Sequence, residues 1–237
     1  MAVKITPLNA DQKYIARYVK TFPILRYLKL HQGPNLLPIY EIFASTEKAY
    51  VFMDIMEKTD LLQKIKKDAP FSEERSTAWI IEIGKGLAYL HKIGVAHENL
   101  QASSVLFDQT GRIQLGGFGS CFVYHTAEFD RVKARGSSSE KFHHHYAPER
   151  MKDGDYDPDR ADIWSFGVLL VVMMTKEWPF EKKHKHRRDV EWKLAFKLTG
   201  KPLTDKFWNV LTNAFVVEPE RRCTIFQLLN LLEQPAM

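Results

Sequence analysis

The chain has 237 residues, a length that accommodates one or two domains. Its net charge of +5 is mildly basic, which suits anionic partners without requiring them. The two cysteines, Cys121 and Cys223, lie far apart in the sequence, so we expect no disulfide framework and a reduced intracellular environment. No apolar stretch reaches about 18 residues and no apolar run opens the chain, so neither a membrane span nor a signal peptide is expected.

The first part of the chain mixes strand and helix patterns. Residues 2–6 form a strand candidate, and residues 11–30 predict a helix. We expect this helix to be interrupted near Pro23, because proline has no N–H to donate. Residues 39–43 and 49–54 predict a β-hairpin, since the second segment is rich in aromatic and β-branched side chains.

Helical patterns dominate beyond residue 60. Asp60 is predicted to cap a helix over 61–67, and Ser72 a long helix that ends at Lys92. Apolar side chains recur at helical spacing along the long helix and predict a core face: Trp79, Ile80, Ile83, Leu87 and Leu90.

Three more helices are predicted in the last third of the chain. Residues 162–175 are apolar on nearly all sides, which is typical of a buried central helix. Residues 204–216 and 224–232 predict the last two helices. Thr224 is followed three residues later by Gln227, the pattern of a capping box.

Two short motifs in the middle of the chain carry the functional signal. Residues 97–104 read H-E-N-L-Q-A-S-S, and residues 117–119 read G-F-G. Their spacing resembles that of the eukaryotic protein kinases, whose catalytic loop is H-R-D-L-x-x-x-N and whose metal-binding motif is D-F-G. The resemblance covers residues 1–237. It implies an α+β, bilobal fold with a truncated β-rich small lobe over 1–57 and a mainly α-helical large lobe over 58–237.

The residues that carry phosphoryl transfer in this family are replaced. Asn99 stands at the position of the catalytic Asp, and an amide cannot take up a proton near neutral pH. Gly117 stands where an Asp holds the metal, and Ser104 offers only a neutral hydroxyl, whereas magnesium prefers hard oxygen ligands. Gln101 replaces a Lys that would face the transferring phosphate. The resemblance therefore implies no catalytic residue, no metal site, and no bound ATP or magnesium.

The positions that the chain shares with the family are structural ones: His97, Phe118, Gly119, Glu149, Asp162 and Arg222. In the family, His97 and Phe118 would pack in a column of side chains that joins the lobes. Glu149 ends the A-P-E motif, and the resemblance implies that it pairs with Arg222. Breaking a buried pair of this kind costs about 3–5 kcal/mol, which gives both residues a role in folding.

The small lobe departs from the family at its start. Residues 2–5 resemble the V-A-I-K strand and nothing precedes them, so the glycine-rich loop is expected to be absent and one sheet edge exposed. Lys4 is the last recognisable nucleotide-contact residue. The helix Glu that would pair with it aligns with Thr21, so a solvated or differently paired Lys4 is favoured over residual phosphate binding.

Two further stretches suggest modification or binding. Residues 137–145 contain three serines and three histidines. A metal site is not favoured there because adjacent histidines do not converge on one ion. Phosphorylation of the serines remains open, but Glu98 stands where the family has an Arg that receives phosphate, so it would repel one. Residues 182–188 are strongly basic, which is typical of a solvated loop or of an anion-binding patch.

Three functions follow from these patterns. The first is an inactive kinase-like domain that acts as a scaffold or allosteric partner. Its candidate partner is an active kinase, and its expected location is the cytoplasm or alternatively the nucleus. The second is a weakly active, ATP-binding serine/threonine kinase. The third is an anionic-surface or nucleic-acid binder that uses residues 182–188, although no nucleic-acid module is recognised. Within the family, the large lobe, especially residues 86–91 and 96–97, looks closest to calmodulin-dependent-type kinases, and residues 2–5 and 18–41 resemble the testis-specific serine kinases.

Overall fold

The computed structural model describes residues 1–8, 12–128, 130–180, 192–193 and 203–234, and for residues 12–20 it describes the backbone alone. In this part of the chain the fold is α+β. The helices are α1 (Gln12–Leu30), α2 (Leu61–Asp68), α3 (Glu73–Lys92), α4 (Pro158–Thr175), α5 (Asp205–Ala214) and α6 (Ile225–Glu233). The strands are β1 (Ala2–Pro7), β2 (Ile39–Ala44), β3 (Lys48–Met53), β4 (Met56–Asp60), β5 (Val95–Ala96), β6 (Val105–Asp108), β7 (Ile113–Leu115), β8 (Phe122–Val123), β9 (Ala134–Gly136) and β10 (Gly154–Tyr156).

The first sheet is antiparallel and has the strand order β1-β3-β2. The predicted hairpin is confirmed as β2 and β3, which differ from the predicted segments by one residue at most at any end. Within the described residues β1 pairs only with β3, so it forms an edge of this sheet. Val3 and Ile5 on this strand are exposed.

The predicted interruption of the first helix is wrong. Helix α1 continues through Pro23 from Gln12 to Leu30. Proline removes one backbone donor, but the Pro23 side chain faces solvent, where the carbonyl that loses its partner can bind water. The end of the helix is anchored by Leu28, which is buried.

The caps of the helical part follow the sequence. The Asp60 carboxylate accepts a hydrogen bond from the backbone N–H of Gln63 at 2.8 Å, and the Ser72 hydroxyl accepts one from that of Arg75 at 3.2 Å. These bonds satisfy N–H groups that the first turn of a helix leaves without partners. The predicted caps of α2 and α3 are therefore confirmed.

The last helix begins as the sequence predicts. The backbone N–H of Thr224 donates to the Gln227 side chain at 2.8 Å, and the Thr224 hydroxyl accepts from the Gln227 N–H at 3.3 Å. These two bonds form the predicted capping box of α6.

Helix α4 is the centre of the large core. Every residue but one from Pro158 to Thr175 is buried, so the predicted central helix is confirmed, although it begins four residues earlier than expected. Asp157 precedes Pro158, which occupies the first turn, where a missing N–H costs nothing. The Trp164 ring stacks on Phe180 with a centroid separation of 4.9 Å.

The boundary between the lobes stays a prediction. Strand β4 runs across residues 57 and 58 and pairs with β6, which lies in the predicted large lobe. None of the described helices combines the length and the apolar composition that a membrane crossing requires.

Candidate functional site

The turn over residues 97–104 is held in place by one carboxylate of the central helix. Asp162 accepts hydrogen bonds from the backbone N–H groups of His97 at 2.7 Å and Glu98 at 2.8 Å. It also lies 3.0 Å from Nε2 of His91 on α3. Because Asp162 is buried, these bonds satisfy its charge and fix the turn relative to two helices.

His97 and Phe118 lie in the core behind the turn. His97 is fully buried, and its Nε2 donates to the backbone oxygen of Gly116 at 2.9 Å. Burial lowers the pKa of His97, so the ring is neutral near pH 7. The His97 and Phe118 rings have centroids 6.2 Å apart, and the N–H of Gly119 donates to the oxygen of Gly117 at 2.8 Å.

The side chain of Asn99, which stands at the predicted position of the catalytic base, forms a hydrogen bond. The amide oxygen of Asn99 accepts a hydrogen bond from Nε2 of His145 at 2.9 Å. Burial, with the neighbouring His143 and Arg150 as further causes, lowers the pKa of His145 to about 3. A neutral imidazole therefore covers the amide oxygen of Asn99.

The two positions that would hold magnesium in a kinase face each other without a carboxylate. The Ser104 hydroxyl donates to the backbone oxygen of Gln101 at 2.7 Å and accepts from its N–H at 3.1 Å, so both bonds stay within the turn. Gly117 has a φ of 77°, and an added Cβ would lie 2.9 Å from the Cβ of Ser104. A side chain at residue 117 would therefore need both a strained backbone and a displaced Ser104.

The side chains of Lys4 and Thr21 are not hydrogen-bonded to each other. The Lys4 side chain is exposed and makes no hydrogen bond or ion pair with any described residue. The Thr21 hydroxyl donates to the backbone oxygen of Gly119 at 3.3 Å, which joins α1 to residues 117–119.

Glu149 and Arg222 form a buried ion pair. Arg222 donates from Nη1 to Glu149 at 2.6 Å and from Nη2 at 3.2 Å. It also donates to the backbone oxygens of Arg160 at 2.7 Å and Val216 at 2.8 Å. This pair ties the end of the segment at 147–149 to the last part of the helical core.

Glu98, an acidic residue that was expected only to repel phosphate, joins the turn to residues more than fifty positions further along the chain. Glu98 is buried and accepts hydrogen bonds from Arg150 at 2.8 Å and from the Tyr156 hydroxyl at 2.6 Å. Burial raises the pKa of Glu98 to about 7, although Arg150 and the Tyr156 hydroxyl both act to lower it. The sequence held one signal for this contact: an acidic residue, Glu98, precedes Asn99, and a basic residue, Arg150, directly follows Glu149.

The remaining candidate stretches are not brought into this site. The Ser138 hydroxyl donates to Asp153 at 2.6 Å, which ties the serine-rich stretch to the loop before β10. Within the described ranges, no three His, Cys, Asp or Glu side chains are placed to hold a metal ion. The basic stretch at 182–188 lies outside the described residues.

Comparison with known proteins agrees with the resemblance. The protein kinase domain family matches residues 1–232. CBL-interacting serine/threonine-protein kinase 17 of Arabidopsis thaliana is 30% identical over 178 residues, which cover 75% of this chain and 39% of that protein. The probable serine/threonine-protein kinase KCC4 of Saccharomyces cerevisiae is 25% identical over 207 residues, covering 86% of this chain and 19% of that protein. The chain thus spans less than half the length of these relatives. It belongs to the protein kinase domain family.

Proposed function

We propose that this chain is a catalytically inactive protein kinase-like domain that acts in signalling as a scaffold or allosteric partner of another protein, with an active kinase as the first candidate. The observation that carries this proposal is the contact at the former base position, where the Asn99 amide binds His145 instead of a substrate hydroxyl.

The first support is the lack of a base at this position. A general base must accept a proton near neutral pH and must reach the reacting hydroxyl. Asn99 offers an amide, which takes up no proton under these conditions. His145 is the titratable group that binds the Asn99 side chain, but its Nε2 is a donor to Asn99, and a pKa of about 3 makes its other nitrogen a weak base.

The second support is the lack of a metal ligand. Catalysis of phosphoryl transfer rests on positioning and on neutralising the phosphate charge with magnesium. Gly117 has no side chain to contribute, and its left-handed backbone places the missing Cβ against Ser104. The Ser104 hydroxyl is bonded to Gln101 on both sides, so it does not replace a carboxylate.

The partner role is supported by the contrast between the lost chemistry and the retained scaffold. The Glu149–Arg222 pair and the Asp162 contacts keep the turn and the following segment in place. The names of several relatives describe kinases that interact with CBL, which is in keeping with a protein-binding role in this family. We place the protein in the cytoplasm as part of this proposal.

The decisive experiment compares thermal unfolding of the purified protein with ATP and magnesium and with ATP and a chelator. A ligand at about a hundred times its dissociation constant would stabilise the protein by about 2.7 kcal/mol. We expect no magnesium-dependent rise in Tm, and no transfer of the γ-phosphate to a peptide.

An Asn99→Ala variant is the control for contaminating kinases. Any phosphate transfer that persists unchanged in this variant does not come from the site. Magnesium-dependent transfer that Asn99→Ala abolishes would replace the proposal with the alternative of a weakly active serine/threonine kinase. The partner role is tested by adding the chain in excess to active serine/threonine kinases, and their rates are expected to change for at least one of them.

A further inference from the structure

A buried contact joins the former catalytic turn to the segment that follows it. Nη1 of Arg150 lies 2.8 Å from Oε2 of Glu98 and donates a second hydrogen bond to the Glu98 backbone oxygen. The Tyr156 hydroxyl donates to the same carboxylate oxygen at 2.6 Å. Glu98 thus binds two groups that lie more than fifty residues further along the chain.

Arg150 extends the contact to the middle of the segment. Its Nη2 lies 3.2 Å from Oε1 of Glu140, and its guanidinium carbon lies 3.9 Å from the centroid of the Tyr146 ring. One side chain therefore contacts the turn at Glu98 and two separate points of residues 134–151, here named the segment.

Among the described residues Arg150 has one further carboxylate partner, Glu140, which is partly exposed. Within the described residues, Glu98 Oε1 and Arg150 Nε are buried without a hydrogen bond, so each group depends on the bonds that its other atoms form. Removing one member would leave the other buried without its main polar partner, and opening of the segment would relieve this cost.

We propose that Glu98 and Arg150 form a latch that holds the segment against the turn without any phosphate. The segment therefore presents the same surface to a partner whether or not the chain is phosphorylated. The serines at 137–139 are not needed to close it, because the cation that binds the turn is Arg150 itself. The Ser138 hydroxyl instead donates to Asp153, and a phosphate there would meet a carboxylate. The latch does not depend on the proposed loss of catalysis, and each can fail without the other.

The test is hydrogen exchange of the whole protein after phosphatase treatment, read by mass spectrometry. Peptides from the segment are compared with peptides from α4, which report on the core. In the wild type we expect the segment to be protected although no phosphate is present. Glu98→Gln and Arg150→Gln are each expected to speed exchange in the segment at least tenfold while α4 is unchanged.

Arg135→Gln is the matched control. It removes an Arg from the same segment, but Arg135 and its partner Asp155 are both exposed, so exchange is expected to match the wild type. The proposal is overturned if Glu98→Gln and Arg150→Gln exchange as slowly as Arg135→Gln. It is also overturned if the segment of the dephosphorylated wild type exchanges as fast as an unfolded peptide.

If either single variant fails to fold, the double variant Glu98→Gln/Arg150→Gln decides, because it leaves no unpaired buried charge. Fast exchange in the segment with a protected α4 supports the latch. Protection equal to that of the wild type shows that packing alone holds the segment, which overturns it.

Discussion

Replacing Gly117 by alanine tests whether this position has lost the space for a side chain as well as the carboxylate. Gly117 has a φ of 77°, a conformation that costs an ordinary residue about 1–2 kcal/mol. The new Cβ would also lie 2.9 Å from the Cβ of Ser104, which is fixed by two hydrogen bonds to Gln101. Overpacking of this kind costs about 1–3 kcal/mol. We therefore expect Gly117→Ala to lower the free energy of unfolding by about 2–5 kcal/mol.

Gly111→Ala separates the two contributions. Gly111 has a φ of 82°, but an added Cβ there meets nothing within 4 Å, so only the backbone cost of about 1–2 kcal/mol remains. Both free energies of unfolding are measured by urea unfolding, and the comparison holds where the variants share the same m value, the dependence of that free energy on urea concentration. In a Ser104→Gly background, Gly117→Ala should lose its additional cost. Equal destabilisation by Gly117→Ala and Gly111→Ala would refute the crowding, and with it the claim that an acid no longer fits at residue 117.

Three other outcomes are expected. Arg222→Gln should cost about 3–5 kcal/mol in urea unfolding because it leaves Glu149 without its cation, whereas Lys85→Gln, at an exposed pair, should cost less than about 1 kcal/mol. Because the pKa of Glu98 is raised to about 7, the folded protein retains a proton that the unfolded chain loses near pH 4.5. The free energy of unfolding of the wild type, relative to that of Glu98→Gln, should therefore fall as the pH rises from 4.5 to 7, by up to about 1.4 kcal/mol per pH unit. His145, with a pKa lowered to about 3, should show no imidazole titration by NMR between pH 5 and 8.

Each of these expectations has an opposing result. A small effect of Arg222→Gln, equal to that of Lys85→Gln, would mean that the buried pair contributes no more than a surface pair. A stability difference between the wild type and Glu98→Gln that does not change from pH 4.5 to 7 would contradict the raised pKa of Glu98. Titration of His145 near pH 6.5 would show that its ring is solvated and does not cover Asn99.

Local features of the fold were predictable from the sequence because their causes are local. Asp60 and Ser72 cap helices through bonds to residues three positions away, and the apolar run at 162–175 is buried on all sides wherever the rest of the chain lies. Pro23 shows the limit of such reasoning. The sequence indicates the lost donor, but not that the affected side of the helix faces water.

The contacts of the candidate site could not be predicted in this way. Glu98 and Arg150 are 52 residues apart, and Asn99 and His145 are 46 apart, so no periodicity or spacing rule joins them. The replaced residues themselves were visible in the motif positions. The sequence did not reveal the bonding partner of each replacement. Glu98 binds Arg150, and Asn99 binds His145, which lie in the same segment.

The first strand of the small sheet has a consequence for how copies of the protein behave together. Within the described residues, β1 leaves one row of backbone donors and acceptors without a neighbouring strand, and apolar Val3 and Ile5 lie exposed along it. Lys4 lies between them in the sequence, and a charged lysine on an edge strand opposes pairing with a second copy. Since salt screens that repulsion, concentrated solutions should become more prone to aggregation as ionic strength rises.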